Sequence, residues 1–174
     1  MMMKTKKQKE LIEAFLSSIG EEIRPVYREL AAYLAELGYY PHREKSSISF
    51  KHDLHNKQMA KIGFGRGKAP APFFALRFSA CRGYSQRFAD IVGDAAVRYP
   101  SRAARCTDGG CDFCAGDPET HVYTALSPDG EAKYLCGANA LAIPNLSADD
   151  IEEIKRLIAE ENAYLLKHQA GVAV

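Results

Sequence analysis

The chain of 174 residues is about one domain's worth of sequence, enough to bury roughly 70% of the surface its unfolded form would expose. A hydrophobic share of 47% and a charged share of 26% belong to a globular protein and exclude a disordered, collagenous or coiled-coil chain. The formal net charge of +1 hides an uneven layout: residues 41–106 carry thirteen Lys and Arg against four Asp and Glu, and residues 107–174 carry four against twelve.

No apolar run approaches the roughly 18 residues of a membrane span. The basic start, Lys4 to Lys9, leads into no stretch apolar enough for a signal peptide, so a cytoplasmic protein with reduced thiols is expected. Five cysteines, an odd count, also fit a closed disulfide framework poorly. Metal binding is therefore the first chemistry to consider.

Helical spacing of Leu11, Ile12, Phe15, Leu16 and Ile19 predicts a first helix over 5–19, stopped at Gly20. Ile23, Tyr27, Leu30, Ala31 and Leu34 predict a second over 21–37, with Pro25 tolerated in its first turn. Tyr39-Tyr40-Pro41 leads out of it towards β structure. Alternating polar and apolar residues predict strands at 47–51, 59–64 and 73–78, with Arg77 pointing away from the core. Phe88, Ile91, Val92, Ala95 and Ala96 give a third helix over 83–98 that faces the sheet. An irregular stretch, 100–120, is rich in Gly, Asp and Cys. A hairpin follows, 121–126 and 131–136, around the turn Ser127-Pro128-Asp129-Gly130. The last helix begins at Ser147, where Ser147 and Asp150 resemble a capping box and acidic residues crowd the first turn.

The order ααβββα–Cys loop–ββα predicts one α+β domain over 1–174. Its expected architecture is an antiparallel sheet of about five strands with helices packed on one face, and a Cys-rich metal-binding loop and hairpin at 100–136.

Cys106-x4-Cys111-x2-Cys114, with Cys136 after 21 further residues, is the strongest chemical signal in the chain. Two thiolates separated by two residues can face one centre, and a third and fourth close a tetrahedron around Zn²⁺. His121 is the reserve ligand. Four thiolates would leave a formal charge of −2 on the site, which Arg102 and Arg105 are placed to offset. A structural role for zinc is expected, because the 100–120 stretch has almost no apolar residues with which to fold itself. The same spacing also occurs in plant-type iron–sulfur proteins, and four unliganded thiols are the plain alternative.

Other features are weaker. Cys81, between the third strand and the third helix, would be nucleophilic if it sat at a helix N-terminus beside Arg82; a buried inert thiol is the simpler reading. Gly63–Lys68 has the composition of a phosphate loop but not its spacing, and reads as a hairpin connection. His52-Asp53-Leu54-His55 reads as a solvated turn.

Gly-Gly-Cys-Asp-Phe-Cys at 109–114, Lys-Tyr-Leu-Cys-Gly at 133–137 and Ile-Pro-Asn-Leu-Ser-Ala-Asp-Asp-Ile at 143–151 resemble segments of uncharacterised bacterial cysteine-motif proteins of this length. The resemblance implies a bacterial source and carries over no functional residue. The functional expectation is a zinc-stabilised cytoplasmic module that binds or regulates, with a small or anionic ligand and with Arg77 and Arg82 as candidate contacts. The alternatives are an enzyme using Cys81 or an open metal site, and nucleic-acid binding through the basic residues of 41–106, which their scatter disfavours.

Overall fold

Residues 3–111, 114, 116–127 and 129–168 are described by the computed structural model. The elements are α1 (Lys6–Ser17), α2 (Arg24–Glu36), β1 (Tyr39–Arg43), β2 (Ser47–His52), β3 (Gln58–Phe64), β4 (Pro72–Leu76), α3 (Gln86–Arg98), β5 (Tyr123–Leu126), β6 (Ala132–Leu135), β7 (Leu141–Ile143) and α4 (Ile151–Lys167). Single turns of 3-10 helix lie at Pro100–Arg102, Cys106–Asp108, Pro118–Thr120 and Ala148–Asp150.

The expected α+β class is what the chain forms, with five strands in one sheet in the order β1-β2-β3-β4-β7. The ladders from β1 to β4 are antiparallel. Membership of the sheet differs from the expectation. Tyr39–Arg43 pairs with β2 as an edge strand, a position where Pro41, with no N–H to donate, does not break a ladder. The three-residue β7 is too short for alternation to reveal. The β5–β6 hairpin forms a separate two-stranded sheet.

Packing divides the chain into two compact units, residues 1–76 with 142–158, and residues 77–141 with 159–174. In the first, Ile12, Phe15 and Leu16 of α1 and Val26, Tyr27, Leu30 and Leu34 of α2 are buried with Ile48, Phe50, Ile62 and Phe74 of the sheet. Phe15 sits 5.4 Å from the Tyr27 ring and 5.5 Å from the Phe64 ring, and the Tyr27 ring meets Phe74 edge-on. Thr5 caps α1 in a capping box with Gln8, and Lys155 of α4 reaches Glu29 of α2 at 2.6 Å. The Gly63–Lys68 segment does connect two antiparallel strands, closed by a hydrogen bond from Gly65 N to Ala71 O. The His52–His55 turn is less solvated than expected: His52 is buried and its ring stacks on His55 at 4.1 Å.

In the second unit α3 packs on the β5–β6 hairpin, burying Phe88, Ile91, Val92, Ala95 and Ala96. Phe78 is enclosed by Tyr84, Phe88 and Tyr123, with ring centroids 5.5, 5.4 and 5.0 Å away. The hairpin turn is tied by Ser127 N to Glu131 O at 2.9 Å, and Gly130 takes a φ of +83°, as the Asp-Gly signal requires. Pro128 of that turn, and Asp112, Phe113 and Ala115 of the cysteine loop, lie outside the described residues.

Candidate metal centre

Three backbone devices bring the cysteine-bearing segments of the second unit together. First, residues 102–104 run antiparallel to the end of β6: Ala104 N donates to Tyr134 O at 2.9 Å and Cys136 N donates to Arg102 O at 2.8 Å. This fixes Cys136 beside the start of the cysteine loop. Second, Cys106 opens a single 3-10 turn that Gly109 ends with φ +70°, and Gly110 N returns to Arg105 O at 2.8 Å. Glycine adopts that φ at no steric cost, and the reversal carries the chain back towards Cys106 before Cys111. Third, the β5–β6 register pairs Tyr123 with Leu135, so the strands, continued by two residues, set His121 against Gly137. A Cβ on Gly137 would lie only 1.6 Å from the His121 carbonyl oxygen, so the approach demands glycine.

The result is a cavity of about 250 Å³ lined by Cys106, Cys111, Cys114, Cys136 and His121, together with Arg102 and Arg105. Both arginines expected to offset thiolate charge are thus at the same cavity as the thiols. None of the five cysteines is in a disulfide. The four at the cavity are partly exposed and His121 is buried. Among the described residues no group of three or more His, Cys, Asp or Glu side chains is gathered tightly enough to hold an ion. The donors therefore share a wall without converging on a point.

The turn that carries Cys136 is held from several sides. Asn139 donates to Cys136 O from its backbone N at 3.2 Å and from its side-chain Nδ2 at 3.0 Å. Ser79 Oγ donates to Gly137 O at 3.0 Å, and Tyr123 OH donates to Asn139 O at 2.9 Å while accepting from Phe78 N. Burial raises the Tyr123 phenol well above its usual range, so it remains a donor.

The other sequence candidates fall elsewhere. Arg77, expected to point outward, is buried, because β4 ends at Leu76 and the alternation stops with it. Its guanidinium is engaged by Glu161. Arg82 donates to the carbonyls of Ser79, Cys81 and Glu119 and so braces a loop. Cys81 is only 1% exposed, and α3 starts at Gln86 rather than at 83, so the helix dipole invoked to activate it lies further along the chain. Glu161, Ser79, Tyr123, Asn139 and Tyr164, whose hydroxyl lies 3.2 Å from His121 Nδ1, support the site, and nothing in their sequence context separates them from ordinary helix and loop residues.

No protein-family model, curated protein or solved structure matches this chain.

Proposed function

We propose that the chain is a zinc-stabilised binding or regulatory module, with Zn²⁺ held by the cavity's cysteines in place of a local hydrophobic core. The observation that carries this reading is that thiols from separate segments, 106, 111 and 114 on one loop and 136 after a hairpin, line one cavity with two arginines. A loop so poor in apolar residues needs a cross-link to hold one conformation. Cysteines outside any disulfide fit a reducing, cytoplasmic setting, and among the described residues no helix is long and apolar enough to cross a membrane. A site saturated with protein ligands keeps no position for substrate, which favours binding of a small or anionic ligand over catalysis. An enzyme acting through Cys81 is disfavoured by the burial of that thiol. Nucleic-acid binding loses Arg77 and Arg82, which are engaged within the second unit.

Elemental analysis of protein purified under reducing conditions, never exposed to chelator, is expected to give about one zinc per chain. Absence of metal overturns the proposal, and a brown protein with visible absorbance replaces zinc by an iron–sulfur cluster. Cys111→Ser is expected to make residues 100–136 protease-sensitive, because metal binding and local folding are one event.

A further inference from the structure

The outer edge of the main sheet carries a groove that the cysteine site does not use. β1 is the last strand on its side, and among the described residues no strand pairs beyond it. Glu44 N donates to Ser47 O at 2.8 Å, so residues in step with Glu44 turn their backbone groups towards β2. These are His42 and Tyr40, which stand opposite Ser49 and Lys51. Backbone groups alternate in direction along a strand, so Pro41 and Arg43 aim theirs outward. Pro41 presents a carbonyl there, and Arg43 both a carbonyl and an N–H. Their side chains share the face of Phe50 and Ile48, which is the buried face of the sheet.

Along this edge, between β1 and α1 of the first unit, runs a cavity of about 630 Å³. Pro41 and Arg43 line one side, and Lys7, Glu10, Leu11 and Ala14 line the other. The four α1 residues have the spacing of a single helical face. Leu11 shares the apolar period of Ile12, Phe15 and Leu16 but is only half-buried, because it faces this groove. The lining thus combines apolar surface, at Leu11, Ala14 and Pro41, with the positive charges of Lys7 and Arg43. Glu10 lies 3.7 Å from Lys6 Nζ, whereas among the described residues neither Lys7 nor Arg43 has an acidic partner.

We propose that this groove takes an extended acidic peptide, added as a strand beside β1. Its main chain bonds to the outward groups of Pro41 and Arg43. Alternate side chains enter the groove, an apolar one against Leu11, Ala14 and Pro41 and acidic ones towards Lys7 and Arg43. Strand addition of this kind draws affinity from main-chain hydrogen bonds and specificity from pockets for every second side chain. Charge selects the occupant. A second copy of the chain would bring another Lys7 and Arg43 to the same edge, and like charges there oppose that pairing. The proposal goes beyond the zinc reading, shares no residue with it, and stands whether or not the cysteine cavity holds metal.

The test uses the full-length protein and a labelled peptide, Thr-Glu-Thr-Val-Thr-Glu-Thr, blocked at both ends. When extended, it carries both glutamates and the valine on one face. Saturable binding by fluorescence anisotropy is expected at low salt, with the Arg43 amide proton moving downfield as it gains an acceptor. A peptide with lysine in place of both glutamates is expected to bind at least about tenfold more weakly, as is the double variant Lys7→Ala with Arg43→Ala. Ala14→Glu, at an exposed position, is expected to abolish binding. N-methylation of the peptide separates strand addition from attraction of charge alone. Methyl groups on one set of alternate residues should remove binding, and on the other set should leave it. Binding that ignores both sets, or that inorganic phosphate displaces at equal concentration, reduces the groove to a plain anion site and overturns the proposal. A dimer in sedimentation that loses the edge of β1 to a second copy overturns it as well. So does the absence of any shift at Arg43, Leu11 and Ala14 with millimolar peptide.

Discussion

Arg77 Nε donates to Glu161 Oε1 at 2.7 Å, and the two side chains are 4% and 0% exposed. Glu161 also accepts from Ala80 N at 2.7 Å through its other oxygen, and Ser79 Oγ stands 3.4 Å from the first. One carboxylate thus ties α4 to the segment that follows β4. Ser79 in turn holds the Gly137 carbonyl, one residue from Cys136.

A buried ion pair is worth little compared with a well-packed apolar pair, but losing one partner strands the other charge. Glu161→Gln is therefore expected to cost about 3–5 kcal/mol, read as a drop in the urea midpoint at constant m value. The double variant Arg77→Met with Glu161→Leu is expected to recover most of that loss. If the single variant unfolds within about 1 kcal/mol of the wild type, Arg77 reaches water and the pair is not buried.

Glycine contacts give a second prediction, with its control in the same unit. A Cβ on Gly137 would collide with the His121 carbonyl at 1.6 Å, whereas one on Gly93 of α3 meets nothing within 4 Å. Gly137→Ala is expected to destabilise by about 1–3 kcal/mol and to speed the release to a chelator of the zinc proposed above, because the turn that moves carries Cys136. Gly93→Ala is expected to be neutral or to stabilise by about 0.5–1 kcal/mol, as alanine does inside a helix. Equal behaviour of the two variants would mean that the 136–139 turn yields freely.

Helix faces were legible in the sequence because burial imposes its period on them: of the five residues on the first predicted face, Ile12, Phe15 and Leu16 are buried within α1, Ile19 is buried just past its end, and Leu11 is half-buried. Strand partners were not. Nothing in Tyr39–Arg43 alternates cleanly, and the hairpin has the same local pattern whether it joins the main sheet or pairs only with itself. Arg77 was misread for a related reason, since alternation assigns a face only while the strand lasts. At the site, the cysteine spacing was visible but its supports were not: Tyr164 and Glu161 look like any residues of an acidic helix until the fold supplies Thr120, His121 and Arg77 as neighbours.

The face of the sheet that carries Lys61 supplies the pH-dependent prediction. Glu44, in the β1–β2 turn, lies 2.7 Å from Lys61 Nζ and 3.7 Å from Lys51 Nζ, and Ser47 Oγ approaches it at 3.3 Å. The hydrogen bond from Lys61 is the main cause holding its carboxyl below the ordinary carboxylate value, against the opposing effect of partial burial. In the unfolded chain the same group titrates near about 4.3. Between the lower folded value and that unfolded value the unfolded state binds the extra proton, so stability falls as pH falls. The contribution is complete above the unfolded value and disappears as pH drops through the folded one. Glu44→Gln is thus expected to be less stable than the wild type by about 0.5–1 kcal/mol at neutral pH, a modest figure because water and salt reach all three side chains. Denaturant titrations of both proteins from pH 7 downward should show the two stabilities converging in the acid range. A gap that stays constant through that range would mean that the ionised carboxylate does not provide the stabilisation.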